Sequence, residues 1–511
     1  MVQLNTSSYW ADTTPTQAFP SLDRDLRVDV AIVGGGITGI TAAYLLKSAG
    51  VNVAVLERSR CASGDTGYTT AHLTMVTDAP LTSLIKHFGR DTATAVWDAG
   101  LIAIDRIEEH VQTEAIDCDF RRVPGFLHEA LAGSGLPPSE LERQVHAATE
   151  LGFAASFVRQ IAPLGVTGAR FDGQGLFHPR KYLDGLLRAI HGDGSHVFEH
   201  TAVDDVNESF TLRAGPHKVF CDYVVLGTHT PRVGKQGMVA ATVMQSKLAL
   251  YSSYAIAGRL PAGRIAPGLY WDTADPYHYL RVESQPGSDF AIFGGADHKT
   301  GQVTNTENCY QAVEKTLRRV APNVELTDRW SGQVLQTIDG LPFVGETADR
   351  QFTVTGCAGN GMTFGTLGAM MARDAVLGRP NPWRELLDPR RNNVRSGAWN
   401  YVRENKDYLY YMLRDQLARR HSALIGHLRP GQGKVVSLNG QRVAAYRDEQ
   451  GVVAVRSAIC THMACEVHWN QAETTWDCPC HGSRFKTDGS VISGPAESPL
   501  AAIGDATGEP K

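Results

Sequence analysis

No run of about eighteen apolar residues occurs in this chain, so nothing in it reads as a membrane-spanning helix. Met1 to Pro20 is polar and lacks the charged-then-apolar pattern of a leader, so a cytoplasmic protein is expected. Charge of one sign is also scarce. With 49 Lys and Arg against 54 Asp and Glu, the net charge is -5 over 511 residues, which makes no case for a nucleic acid or a membrane surface as partner. Internal repeats and low-complexity tracts are absent. Five of the nine cysteines, Cys61, Cys118, Cys221, Cys309 and Cys357, are scattered as reduced core thiols would be. What these absences leave is a chain of about three domains, each long enough for its own core, with small molecules and electron carriers as partners.

What is present is concentrated towards the two ends. Near the C-terminus stand two boxes, Cys460-Thr461-His462-Met463-Ala464-Cys465 and Cys478-Pro479-Cys480-His481-Gly482-Ser483. Each offers a Cys closely followed by a His, and residues 463–477 are enough for a hairpin that presents the two loops side by side. Cys478-Pro479-Cys480 cannot be helical, because proline lacks the amide donor and restricts the residue before it. Zinc also accepts two Cys and two His, though usually as Cys-x2-Cys with His-x3-His; a zinc site and a purely structural disulfide cluster are the alternatives. The segment closely resembles the Rieske family, whose 2Fe-2S centre binds one iron through two thiolates and the other through two imidazoles. That resemblance implies Cys460, His462, Cys478 and His481 as ligands. It also implies a Cys465–Cys480 disulfide pinning the loops together over the cluster. Gly482-Ser483 and Gly494-Pro495-Ala496 match family positions, while Ala464 stands where many members have Gly.

At the other end, Val28 to Val33 is a short apolar, β-branched run, Gly34-Gly35-Gly36-Ile37-Thr38-Gly39 follows, and Ile40 to Ala49 reads as a helix. Strand, glycine turn and helix in that order make an anion site. Gly34 allows the tight turn, Gly36 lets a pyrophosphate approach the backbone, and Gly39 lets helix and strand pack closely. Val51 to Leu56 reads as a second strand ending in Glu57 and Arg58, with Glu57 about 20 residues past the glycines, where a carboxylate can bind a ribose hydroxyl pair. Strand, helix, strand and acid in register predict a dinucleotide site. No second Gly-x-Gly-x-x-Gly follows a strand, so no nicotinamide site is expected and electrons should come from an organic substrate.

Cys221 to Leu226, leading into Gly227-Thr228-His229-Thr230-Pro231, is a further strand and turn. Gln351 to Thr355 runs into Gly356-Cys357-Ala358-Gly359-Asn360-Gly361-Met362-Thr363 before a helix from about Phe364 to Leu377. With these elements in this order, residues 29–377 resemble the D-amino-acid-oxidase-like superfamily of FAD enzymes, the glycine or sarcosine oxidase type. Gly175-Leu176-Phe177-His178-Pro179, Val203 and Asp339 to Gly345 match it too. The resemblance implies an α/β FAD-binding Rossmann-type domain interleaved with an α+β substrate domain, followed by an all-β Rieske domain. FAD would be held by Gly34, Gly36, Ile37, Thr38, Gly39, Glu57, Arg58, Thr69, Thr70, His72, Val203, Gly227, Gly359, Gly361, Met362 and Thr363. Over almost its whole length the chain is similar to a bacterial group in which such an oxidoreductase is fused to a C-terminal Rieske domain. Thr66 to Thr74, Tyr270 to Tyr277 and Gly294-Gly295-Ala296-Asp297-His298-Lys299 are the marks of that group.

Catalytic candidates follow from the substrate domain, where Tyr270 to Val282 and Ser288 to Gly294 read as antiparallel strands. Tyr277, Tyr279 and Arg281 alternate and should share one face. There the arginine, with tyrosine hydroxyls beside it, would hold a substrate carboxylate; alternatively the tyrosines pack in the core and the arginine pairs with an internal Asp. His298 and Lys299 either approach the flavin or sit in a solvated loop. His72 stands where histidyl-flavin members of the superfamily, dimethylglycine dehydrogenase among them, carry Thr-Trp-His. Ala71 replaces the Trp, so a covalent bond to the flavin methyl and a noncovalent place beside the isoalloxazine are both open.

The expected organisation is an arm over 1–24, interleaved FAD and substrate domains over 25–380, a helical linker over 381–427 and the Rieske module over 428–511. In the linker Trp399, Val402, Tyr408, Leu409, Met412, Leu413 and Leu417 recur at helical spacing with Arg414, Arg419 and Arg420 between them. That pattern suits a helix packed on the flavin domain or, alternatively, one touching a membrane. The activity expected is an FAD-dependent dehydrogenase. It would take a hydride from a small amine or amino-acid-like substrate and pass electrons singly through the 2Fe-2S cluster to an external acceptor, a quinone or small redox protein. The alternatives are a flavin oxidase with a structural cluster, a reductase in which the cluster feeds the flavin, and a relay subunit of a larger complex.

Overall fold

Val30 to Val33 is buried throughout, and its side chains serve two cores. Val30 and Ile32 join a large cluster with helices on one face, while Ala31 and Val33 join a second cluster on the other. This two-sided burial is what an unbroken apolar run means in a parallel sheet. The computed structural model describes residues 4–14, 16–207, 209–230, 244–391, 410–411, 414 and 425–503. The sheet centred on Val30–Val33 runs in the order Phe343–Ala348, Gln351–Thr355, Tyr223–Leu226, Val30–Val33, Val53–Leu56, His196–Phe198. The first pair is antiparallel and every other neighbouring pair is parallel. Helices Ile37–Ser48 and Gly361–Val376 cross closely over it, since a Cβ on Gly365 would lie 2.8 Å from Ile37 Cγ2.

The chain leaves this sheet and returns to it, building a second sheet from the intervening segments. Its order is Glu325–Thr337, Leu248–Leu260, Ser288–Lys299, Tyr279–Gln285, Gly268–Asp272, Arg121–His128, Val166–Leu176, His72–Leu73, with Ala155–Ile161 added to Val166–Leu176. Leu248–Leu260 alternates as a strand should. Tyr254 and Ile256 pack under helix Glu307–Val320, and Ala255 and Ala257 face the large core shared with helices Ile37–Ser48 and Gly361–Val376. The α/β domain interleaved with a substrate domain is therefore borne out, and so is the all-β module after it. Residues 432–457 form a three-stranded antiparallel sheet, and residues 468–493 a four-stranded one. His468–Asn470 and Thr475–Asp477 are the hairpin expected between the two Cys/His boxes, with Trp476 wholly buried in it.

Two local expectations change, and a third falls largely outside the described residues. The N-terminal arm contains a short helix, Tyr9–Thr13, whose Trp10 is buried and donates through Nε1 to the Thr69 carbonyl at 2.6 Å. The run from Tyr270 to Val282 breaks into Gly268–Asp272 and Tyr279–Gln285. Pro276 has no amide for the ladder, so Tyr277 lies in the connecting loop and off the strand. The linker residues Trp399, Val402, Tyr408, Leu409, Met412, Leu413, Leu417, Arg419 and Arg420 lie outside the described residues. Arg414, which is described, stacks on Tyr411 at 4.5 Å and contacts His468 of the C-terminal module at 3.0 Å. Among the described residues, no helix is long and apolar enough to cross a membrane.

Candidate active site and cluster site

The glycine turn, the end of Val53–Leu56, the Gly227 turn and the loop before Gly361–Val376 converge on one cavity of about 780 Å³. Gly34 adopts φ +104, and a Cβ on Gly39 would lie 1.9 Å from the Gly34 carbonyl oxygen. Only glycine allows helix Ile37–Ser48 to begin this close to the strand, with its positive end at the cavity. Glu57 is held at the rim: Oε2 accepts from the Gly35 amide at 2.7 Å and Oε1 from the Ser59 amide at 2.8 Å. Gly36, Ile37, Thr38, Arg58, Thr69, Thr70 and Val203 line the same space, as do Gly227, Gly359, Gly361 and Met362. Gly39 and Thr363 do not. Gly39 acts from behind, and Thr363 is buried, donating to the Thr74 carbonyl at 3.1 Å. A helix end for a pyrophosphate, an acid for a ribose diol and a long cavity fit FAD.

His72 reaches this cavity on an edge strand paired with Leu176. Burial first, and then the charge of Arg281, pushes its imidazole down to about 3, so it is uncharged at neutral pH. Its Nδ1 lies 3.2 Å from Thr70 Oγ1, and the Leu280 and Thr70 backbones hold the ring by hydrogen bonding. Tyr279 stands edge-on to it, ring centroids 5.9 Å apart, with its hydroxyl 2.6 Å from Ser253 Oγ. Tyr277 also lines the cavity.

Arg281 does not. Its guanidinium is 1% exposed, donates to Glu283 at 2.6 Å and to the Ala71 carbonyl at 3.0 Å, and lies over the Trp10 ring. One step past Tyr279 on the strand, it runs beneath the His72 loop and fixes that loop instead of meeting a substrate carboxylate. Its partner is a glutamate two residues on, where an internal Asp was the expected alternative. His298 also turns away, with Nε2 3.0 Å from the Tyr254 hydroxyl and Nδ1 2.8 Å from the Lys299 carbonyl. Neither His298 nor Lys299 lines the cavity.

Two acids that sequence reasoning did not assign come together here. Asp78 lines the cavity and accepts from Gln336 at 3.2 Å, with the Tyr277 hydroxyl 3.5 Å away. Asp297 accepts a hydrogen bond of 2.5 Å from Ser253, which lines the cavity in front of it. Burial pushes Asp78 up to about 6. It pushes Asp297 up to about 7, with the charge of Asp78 adding to the effect. Nothing in the local pattern singles out Asp78, and Asp297 could have been noticed only as a member of the Gly294–Lys299 motif.

In the C-terminal module the two boxes meet. The rings of His462 and His481 lie 5.0 Å apart and nearly perpendicular. The Cys460 and Cys478 thiols are buried and hydrogen-bonded to each other, a contact that draws Cys460 down to about 7 and raises Cys478. Burial lowers both imidazoles to about 4, which keeps them neutral, as metal ligands must be. Cys465 and Cys480 are disulfide-bonded, Cα to Cα 6.5 Å. The bond withdraws two sulfurs from coordination and leaves two thiols and two imidazoles on two loops, the donor set of a Rieske 2Fe-2S cluster. Ala464 adopts φ +57, a left-handed conformation that explains why glycine is common at this place in the family.

The cluster loops face the flavin half. His462 Nε2 lies 2.9 Å from Gln245 Oε1, Gln302 donates to the Pro479 carbonyl at 3.0 Å, and His468 Nδ1 lies 2.8 Å from the Gly301 carbonyl. Gln333, on the cavity wall, donates to the Gly482 carbonyl at 2.9 Å and accepts from Ser493. Glu473 accepts from Ser331 at 2.8 Å and from Tyr310, and Thr306 donates to Asn470 at 2.7 Å. Ser493 and Gly494 of the C-terminal module themselves line the flavin cavity.

Residues 29–375 match the family described as FAD dependent oxidoreductase, and residues 422–504 match the Rieske [2Fe-2S] domain. The chain is 32% identical over 504 residues to a putative Rieske 2Fe-2S iron-sulfur protein, YhfW, of Bacillus subtilis (strain 168), covering 97% of each. It is 26% identical to the gamma-glutamylputrescine oxidoreductase of Escherichia coli (strain K12), over 73% of this chain and 89% of that one. Among solved structures, glycine oxidase from Geobacillus kaustophilus superposes with a TM-score of 0.59 at 18% identity, covering 72% of this chain and 99% of that chain, a likeness of fold.

Proposed function

This chain belongs to the FAD-dependent oxidoreductases and carries a Rieske 2Fe-2S domain, and from that premise we propose that it is a dehydrogenase of a small amine or amino-acid-like substrate whose electrons leave one at a time through the cluster. When bound, FAD supplies a two-electron hydride acceptor and the cluster a one-electron carrier. The observation that carries the reading is the shared wall: Ser493 and Gly494, beside the cluster loops, line the same cavity as Gly36 and His72. Gln333 bridges from that cavity to the Gly482 carbonyl. An outlet built into the cavity suits an enzyme that hands electrons to an external acceptor, a quinone or small redox protein, more than one that meets oxygen at the flavin.

The chain's own residues bind and orient the substrate. Neutral His72 stands on the cavity wall, and Tyr279, fixed by Ser253, closes the wall beside it. Arg281, taken up by Glu283 and the Ala71 carbonyl, does not face the cavity and so is not the group that would hold a substrate carboxylate.

Anaerobic stopped-flow mixing with a panel of amines tests this. Flavin bleaching should come first and cluster reduction second, as linked phases with one substrate dependence. Bleaching without any reduction of the cluster would leave it as a structural element. Absence of bleaching by every amine would remove the enzyme reading.

A further inference from the structure

Residues 67–71 run from the end of the short turn Asp65–Tyr68 to the edge strand His72–Leu73. Carbonyls at the end of a turn and in the loop after it have no ladder to supply their donors, and ordinarily face water. Here side chains take them. Ser8 Oγ donates to the Gly67 carbonyl at 2.6 Å, Trp330 Nε1 to that of Tyr68 at 2.9 Å, Trp10 Nε1 to that of Thr69 at 2.6 Å and Arg281 to that of Ala71 at 3.0 Å. Between them the Thr70 backbone is hydrogen-bonded to the His72 ring. All four donor residues are at most 1% exposed. They come from the N-terminal arm and from two strands of the second sheet, Tyr279–Gln285 and Glu325–Thr337.

Two further observations say what the segment is held for. Thr69, Thr70 and His72 line the cavity that fits FAD, and Ala71 among them is wholly buried at φ +55. A left-handed alanine is strained and persists where its surroundings over-determine it, as they do at ligand sites. The arm also reaches the cavity itself. Asn5 accepts from the Arg329 amide at 2.8 Å and donates to the Thr327 carbonyl at 3.1 Å, and Thr6 beside it lines the wall. Arg281 lies over the Trp10 ring at 5.0 Å and so ties arm to strand. Covering apolar surface would need only the Trp10 ring; the Ser8 hydroxyl and the indole N–H both serve the one loop.

We propose that the N-terminal arm is part of the flavin site, with Ser8 and Trp10, together with Arg281 and Trp330, as positioning residues that hold the wall of Thr69, Thr70 and His72 in the shape FAD requires. None of the four lines the cavity. Each acts through a carbonyl of the loop, and a loop shaped in advance loses less freedom when the dinucleotide binds. The proposal concerns the cofactor and is independent of the substrate.

The test uses the full-length holoenzyme and no substrate. Trp10→Phe keeps a ring in the core and removes the Nε1 donor, and Ser8→Ala removes only a hydroxyl. Trp383→Phe is the control, a buried tryptophan of the same core that precedes helix Arg384–Leu387 and is not on the cavity wall. Hydrogen exchange of amides 68–72 should speed up by about fivefold for each donor lost, the equivalent of one neutral hydrogen bond. Total FAD per chain, free and covalent together, should fall in both variants, and the ring-mode Raman bands of the flavin that remains should shift. Trp383→Phe should change Tm and none of these. Unchanged exchange in the loop overturns the clamp. A loosened loop with unaltered FAD content and Raman bands shows an arm that is only structural, and equal changes in Trp383→Phe show general destabilisation; either overturns the proposal. If Trp10→Phe does not fold, Ser8→Ala decides by the same readings.

Discussion

Replacing Gly301 with alanine tests the contact between the two halves at a point outside both cofactor motifs. Gly301 adopts φ +79, and a Cβ placed there would lie 2.7 Å from the Cys478 carbonyl carbon and 2.8 Å from the Pro479 nitrogen. The left-handed conformation costs an alanine about 1–2 kcal/mol, and forcing a methyl against backbone costs about 1–3 kcal/mol more. The named hydrogen bonds across the interface each contribute about 1 kcal/mol, and together they exceed that total. The module should therefore stay docked while the Cys478–Ser483 loop gives way. If the original docking loses even about 2 kcal/mol against the relaxed loop, its population falls about thirtyfold. In stopped flow, Gly301→Ala should bleach its flavin at the wild-type rate and reduce its cluster on a second phase slowed by about that factor, with an altered cluster EPR spectrum. A second phase within twofold of wild type, with an unchanged spectrum, would refute the view that this contact sets the path between the centres.

Four shorter predictions address the separate parts. Gly39→Ala should lose FAD, since its methyl meets the Gly34 carbonyl at 1.9 Å, while the C-terminal module keeps its colour; full FAD occupancy would mean a misplaced site. Acid denaturation decides the bond at His72, with yellow precipitate showing a covalent flavin and yellow supernatant a free one. The protein should contain two irons and two labile sulfides per chain, and His462→Cys should lower the cluster potential, because neutral imidazoles raise Rieske centres to roughly -150 to +300 mV; an unchanged potential would show that His462 is not a ligand. Asp297, raised by burial from 3.8 to about 7, leaves the fold most stable below its unfolded pKa and progressively less stable as pH rises through its folded one. Asp297→Asn should therefore raise the Tm of the substrate-free protein at pH 8 more than at pH 4, with a limit on the order of 4 kcal/mol; an equal gain at both would refute the assignment.

Both cofactor sites could be read from the chain because each is a local arrangement. The turn at Gly34 to Gly39 and the paired boxes at Cys460 and Cys478 are stretches of adjacent residues whose backbone geometry follows from glycine, proline and short spacing. Glu57 came with its strand, and the Cys465–Cys480 bond with the loops it joins. The substrate site is different in kind. Asp78, Ser253, Gln336 and Asp297 come from separate segments, and only pairings such as Ser252 with His298 across Leu248–Leu260 and Ser288–Lys299 bring them together. Arg281 shows the limit most clearly. Alternation placed it correctly on the face of Tyr279, yet a long side chain goes where its charge is best satisfied, and Glu283 and the Ala71 carbonyl decide that. The sequence by itself determined the fold class and the cofactors, because those depend on neighbours along the chain. The charge and shape of the cavity, and the seating of the cluster loops on its wall, depend on residues hundreds of positions apart, and only the tertiary structure decided them.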